Sequence, residues 1–224
     1  MGFNESIQEA LKLSSLAYSM SSIDAQNLIK YVKDIFDKLM CQKYPERDIR
    51  RLTTKFRDAG RRSAPWKPTS SRVPGRPQDG SDGNRINRWL LHPDHKFFAD
   101  EKTAYLVEVK FYLMAFSFLN SPKINDNAFI KSFHWLFPYD ILPDNYLDPI
   151  QLISIDMDEV IADARLIQSG HLNPLDRGGK HEPNNTFLML ARSNQLQGNL
   201  SVDELLSLME QIVSRHKKLK HYNM

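Results

Sequence analysis

The segment from Thr103 to Leu119, TAYLVEVKFYLMAFSFL, carries only two charges in seventeen residues, and its apolar side chains fall on every face. Whatever it forms must be surrounded by protein, so the chain needs a core that wraps it. Its apolar density suits a buried helix, although Tyr105 to Lys110 alone could also be written as a strand. A membrane span is excluded, because the uncharged stretch Phe111 to Leu119 covers nine residues and a span needs about 20. With 224 residues there is ample chain to build that core without staples. One cysteine, Cys41, rules out both an intramolecular disulfide and a cysteine-rich zinc site. The opening MGFNESIQEA lacks a basic region and an apolar run, so no secretory signal is read and a cytoplasmic setting is expected.

Charge is the second constraint. The net value is only +3, yet thirteen Lys or Arg face five Asp or Glu between Lys43 and Arg88. Arginine dominates there, and its planar fork matches phosphates and guanine edges, so a polyanion such as nucleic acid is the expected partner. The stretch from Gly60 to Asn84 adds four prolines and three internal glycines to those arginines, which is loop chemistry too long for a simple connection. Arg61, Arg62, Arg72 and Arg76 are the candidate DNA contacts from this loop.

Around these two features the periodicity is helical. Ile7, Ala10, Leu11 and Leu16 share a face, Ser22 can cap a helix striped by Leu28, Val32, Ile35, Phe36 and Leu39, and Glu46 to Ala59 reads as a basic helix. Phe129 to Leu142 is a core segment. Ser201 and Glu204 form a capping box ahead of an amphipathic helix that is expected to pack on the preceding unit. Residues 1–148 are therefore expected to be a helical, DNA-binding part and residues 149–224 a second module.

Within that module, Ala164 to Asn199 reads ARLIQSGHLNPLDRGGKHEPNNTFLMLARSNQLQGN. A strand from Arg165 to Gln168 leads to His171, Pro174 and Gly178-Gly179 turn the chain, Thr186 to Leu190 forms a second strand, and Arg192 to Gln197 begins a helix. This succession resembles the HNH endonuclease family, with its ββα-metal fold. Asn185 lies 14 residues and Asn194 23 residues after His171, spacings similar to those of the HNH domain of RNA-guided nucleases and of HNH restriction enzymes. The overall expectation is an α+β protein with a mainly helical N-terminal part and a C-terminal ββα-metal (HNH) nuclease module.

The resemblance implies specific roles. Hydrolysing a phosphodiester needs a water relieved of a proton and a cation to neutralise charge on phosphoryl oxygens. His171 would be the general base, and Asn185 would brace the loop that holds it. Asn194 would bind Mg²⁺ or Mn²⁺, and Arg192 would touch a phosphate. The implied activity is cleavage of double-stranded DNA, in the manner of a type II restriction endonuclease. A phage or mobile-element nuclease of looser specificity, and a non-catalytic nucleic-acid-binding protein on the same fold, are the alternatives. No membrane partner is expected, and a homodimer is the arrangement that would serve both strands.

One departure stands out. Many HNH enzymes carry an acid or a second His just before the catalytic His, and here that residue is Gly170. Either Asn194 holds the ion alone with a largely watery shell, the preferred reading, or Asp156, Asp158 or Asp163 supplies a ligand. His181, between Lys180 and Glu182, is read as a solvated loop residue. Upstream, Asp94, Glu108 and Lys110 resemble a PD-(D/E)xK nuclease pattern, which would require Glu108 and Lys110 to share one face of a strand. His92, His95 and Cys41 are read as structural, and His216 and His221 as part of a basic tail.

Overall fold

The computed structural model describes residues 2–63 and 86–222. Three amphipathic helices come first: α1 (Phe3–Ser14), α2 (Ser22–Met40) and α3 (Glu46–Gly60). Ser21, one residue before the expected cap, opens α2 by accepting from the Asp24 amide while Asp24 returns a bond to its own amide. A two-stranded antiparallel ribbon of β1 (Arg62–Ser63) and β2 (Ile86–Asn87) closes the base of the basic loop, whose interior, with Arg72 and Arg76, lies outside the described residues.

The apolar segment is a helix, α4 (Glu101–Phe116), capped by Asp100 and buried from Ala104 to Phe116. A helix with no polar face must have neighbours on all sides, and α2 and α3 provide most of them. Phe36, Phe56 and Tyr112 meet edge to face at the centre, with centroids 5.2 to 5.9 Å apart. The short helix α5 (Asn127–Ser132) and the turns after it bury Phe129, Phe133 and Phe137 against the same core.

Helical structure also overturns the upstream nuclease pattern, because Glu108 and Lys110 are not on a strand. The Glu108 carboxylate pairs with Arg61 at 2.7 Å, and the Lys110 ammonium donates to the Pro183 carbonyl above the Phe187 ring. Burial raises Glu108 to about 7, a rise that Arg61 tempers, and burial lowers Lys110 to about 7. Asp94 sits apart from both, on an exposed turn beside His92.

Beyond α6 (Met157–Ala162), strands β3 (Ile167–His171) and β4 (Thr186–Leu190) form an antiparallel pair with Gly170 opposite Phe187 and His171 opposite Thr186. Helix α7 (Ala191–Gln197) follows at once, so strand, loop, strand and helix occur in the expected order. β3 begins two residues later than expected because Asp163 caps a short turn over Ala164–Leu166. The protein is α+β. One hydrophobic cluster runs from Ile7 to Leu188, so residues 1–148 and 149–224 share a core.

The last helix, α8 (Val202–Tyr222), has its expected capping box, Ser201 Oγ accepting from the Glu204 amide and Glu204 accepting from the Ser201 amide. It does not pack on the ββα unit along its length: Leu205 is buried, and every residue from Leu206 to Leu219 is exposed. Among the described residues no helix is long and apolar enough to cross a membrane.

Candidate active site

The loop between β3 and β4 is stapled by one side chain. Asn185 accepts from the Asn173 amide at 2.8 Å and donates to the Asn173 and Lys180 carbonyls at 2.9 and 2.8 Å. Both of its donors and one of its acceptor directions are thus spent on loop backbone, tying the residue after the Leu172 turn to the far limb. Gln197, on the last turn of α7, adds bonds to the His171 and Leu172 carbonyls at 2.8 and 3.2 Å. The end of β3 is gripped from two directions.

Helix α7 is oriented by a residue that the sequence pattern does not single out. Asp148 is fully buried and accepts from the Ile150 and Gln151 amides, the Ser193 hydroxyl and the Leu190 amide at 2.7 to 3.0 Å. A carboxylate can leave water only when so many donors replace it. These bonds tie the turn after Asp148 to the start of α7, one residue from Asn194. The signal available in the sequence is only the Asp-Pro turn, which is common.

Asn194 donates from Nδ2 to Gln168 Oε1 at 2.7 Å, which turns its oxygen the other way. Among the described residues no donor reaches that oxygen. It lies 3.1 Å from where a Cβ on Gly170 would stand, while Met189 Sδ and Cε lie 2.6 and 2.4 Å from the same point. A side chain at position 170 would therefore have to displace the thioether end of Met189, which is fully buried on β4. The acid seen at this position in the resembled family has no room here unless Met189 moves.

His171 and Asn194 line one cleft of about 300 Å³ together with Arg88, Ser169, Asp176 and Gln197. A larger groove of about 1120 Å³ runs past Tyr139, Leu147, Phe187 and Asn185, and of the candidate residues it contains only the brace. Burial, and then the Arg88 charge, push the His171 imidazole down to about 4, so the ring is neutral at pH 7. Arg88 is itself buried and bonded to the Phe97 and Ala59 carbonyls.

His181 departs from expectation. It is 1% exposed, with Nδ1 3.1 Å from His171 Nε2 and Nε2 2.5 Å from the Gly60 carbonyl oxygen. Arg61 also departs, since its guanidinium is turned inward onto Glu108 and over Tyr105. Arg62 lies half-buried beside Asp58, and Arg192 is exposed on the first turn of α7. The acids considered as substitute ligands are engaged elsewhere: Asp156 caps α6 and bonds Asn120, Asp158 meets Lys43 and Tyr44, and Asp163 holds Arg165.

The donor set bears on which cation could bind. Among the described residues no three His, Cys, Asp or Glu side chains converge, which excludes a preformed all-protein cage from them. An amide oxygen on the same cleft as a neutral imidazole fits a hard, well-hydrated ion such as Mg²⁺, which keeps waters and completes its shell with phosphate oxygens.

No family model matches the sequence, and no curated protein matches it. Among solved structures, the chain is similar to a type II restriction endonuclease, with 20% identity, a TM-score of 0.47, and coverage of 59% of this chain and 62% of that one. The chain thus spans less than two thirds of that enzyme's length. A likeness of that size assigns neither family nor activity.

Proposed function

We propose that the protein is a metal-dependent endonuclease that hydrolyses phosphodiester bonds of double-stranded DNA, of the HNH type and of the type II restriction class. The observation that carries the reading is the joint placement on one cleft of a neutral His171 and of Asn194, whose amide nitrogen is spent on Gln168, at the end of a loop stapled by Asn185. Residues 149–224 supply the chemistry and residues 1–148 supply DNA contact through the basic loop.

His171 accepts a proton from the attacking water, which a neutral imidazole does at pH 7 and an imidazolium does not. Asn185 keeps the loop from drifting, and Gln197 and Asp148 hold the strand end and α7 in register, so that His171 and Asn194 address the same phosphate. Asn194 would hold Mg²⁺ or Mn²⁺. Such an ion, when bound, supplies charge neutralisation at the phosphoryl and leaving oxygens. Arg192, exposed on the first turn of α7, contacts a flanking phosphate, as do Arg62, Arg72 and Arg76 from the loop, while Arg61 anchors the loop to Glu108.

A second reading, a DNA-binding protein without catalysis, is favoured by the lack of a carboxylate at Gly170. Incubating the purified chain with assorted duplex DNA separates the two. Discrete bands that need Mg²⁺ or Mn²⁺ and vanish with chelator are expected, a smear means an enzyme of loose specificity, and intact DNA under all conditions means a binder.

A further inference from the structure

His181 is a polar ring in a dry place, and both of its nitrogens have partners. The Gly60 carbonyl can only accept, so the His181 nitrogen 2.5 Å from it, Nε2, carries a proton. In a neutral ring Nδ1 then holds the lone pair, and the His171 nitrogen 3.1 Å from that lone pair, Nε2, must be the donor. His171 is thereby the Nε2–H tautomer, and Nδ1 is its basic atom. The opposite assignment would set two lone pairs against each other at Gly60. Burial first, then the Arg88 charge, hold both rings below the usual histidine range, which keeps each singly protonated at neutral pH.

The far end of this chain is rigid. Gly60 packs so closely on α4 that a Cβ there would lie 2.7 Å from Glu108 Cβ and 2.8 Å from its Cα. Arg61 is fixed to the same Glu108, and Lys110, two residues further along α4, grips the Pro183 carbonyl two residues beyond His181. The helical part thus holds both the carbonyl and the loop that carries His181.

We infer that His181 is a positioning residue for the proposed hydrolysis: the Gly60 carbonyl, His181 and His171 form a directed hydrogen-bond chain that fixes the tautomer and angle of His171. This rests on reading His171 as the general base. In the reaction, a water proton passes to His171 Nδ1 as the water oxygen bonds to phosphorus. The opposite P–O bond breaks, its oxygen takes a proton from solvent, and His171 later returns its own proton to solvent. The positive charge present on His171 between those steps is stabilised by His181, whose Nε2–H remains tied to Gly60.

The test combines spectroscopy with two substitutions in the full chain. Nitrogen-15 NMR of histidine-labelled protein at pH 7, without metal, reads the tautomer directly: protonated Nε2 and bare Nδ1 are expected at His171. His181→Gln keeps one acceptor and one donor, whereas His181→Leu removes both. On duplex DNA with Mg²⁺, the Gln variant should stay close to wild type and the Leu variant should lose about 10²-fold or more in kcat with little change in KM. A protonated Nδ1 at His171, a Leu variant with wild-type kcat, or a folded but inactive Gln variant would overturn the positioning role. If the Leu variant does not fold, the NMR and the Gln variant still decide. A wild type with the expected tautomer that cuts no DNA would sink the nuclease reading instead, so the two failures are distinct.

Discussion

Gly60→Ala is a perturbation whose sign is decided by competing magnitudes. In an isolated helix the added methyl would help, by about 1 kcal/mol. Here it would stand 2.7, 2.8 and 2.9 Å from Glu108 Cβ, Cα and N, and the last two are backbone atoms that no rotamer change can move. Helices α3 and α4 must separate, and overpacking of this kind costs about 1–3 kcal/mol. The net expectation is a loss of up to about 2 kcal/mol, which for a chain of this size lowers Tm by up to about 8 °C. The same separation draws the Gly60 carbonyl away from His181 and strains the Arg61–Glu108 pair, so cleavage should fall more than stability alone explains. Thermal and urea melts of wild type and variant, with cleavage assayed well below both midpoints, measure the two effects. A raised midpoint, the result helix propensity alone would give, would refute the close-approach reasoning.

Asn185→Ala removes three loop bonds and should lower stability by about 1–3 kcal/mol and reduce cleavage, seen in paired melts and rate assays. Replacing Arg72 and Arg76 together should weaken DNA binding and flatten its salt dependence by about one counterion per lost phosphate contact; an unaltered slope in a salt series would mean the loop does not touch the backbone. Arg61→Ala should instead destabilise the fold, by on the order of 1–3 kcal/mol, because it leaves the Glu108 carboxyl buried without its partner. For pH, both imidazoles are held below the unfolded 6.5 by burial, so their contribution is full above pH 6.5 and declines as pH falls below it, His171 titrating in the fold at about 4. Glu108, raised from 4.5 to about 7, acts the other way, its contribution declining as pH rises across that interval. Comparing melts of wild type and His181→Gln isolates the imidazole part: the wild-type advantage should shrink from pH 7 to pH 5, and an advantage that grows would contradict the burial of a neutral His181.

The elements legible in the sequence are those whose signal is local. Helix α4 could be read because apolar residues on every face leave a segment of that length few options, and the order of β3, β4 and α7 followed from alternating apolar runs around Gly and Asn. What could not be read depends on residues distant in sequence. His181 looks solvated between Lys180 and Glu182, and only the Gly60 carbonyl, 121 positions earlier, makes it a buried link. Arg61 looks like any loop arginine until α4 brings Glu108 under it. The glycine at 170 looks only like a missing ligand, and the sequence does not show that the end of the Met189 side chain, on the neighbouring strand, occupies the space beside it. Helix α8 shows the converse, since a clear amphipathic pattern did not say whether the apolar face would find a surface within the chain.

The most direct test of the central claim is a single pair of measurements on His171→Ala: cleavage of duplex DNA in Mg²⁺, and binding to the same DNA in Ca²⁺. Loss of cleavage with binding retained is the expected result, because the substitution removes a proton acceptor and leaves the basic surface intact. Cleavage by the variant at the wild-type rate would contradict the assignment of His171, and with it the account of this cleft as a nuclease centre.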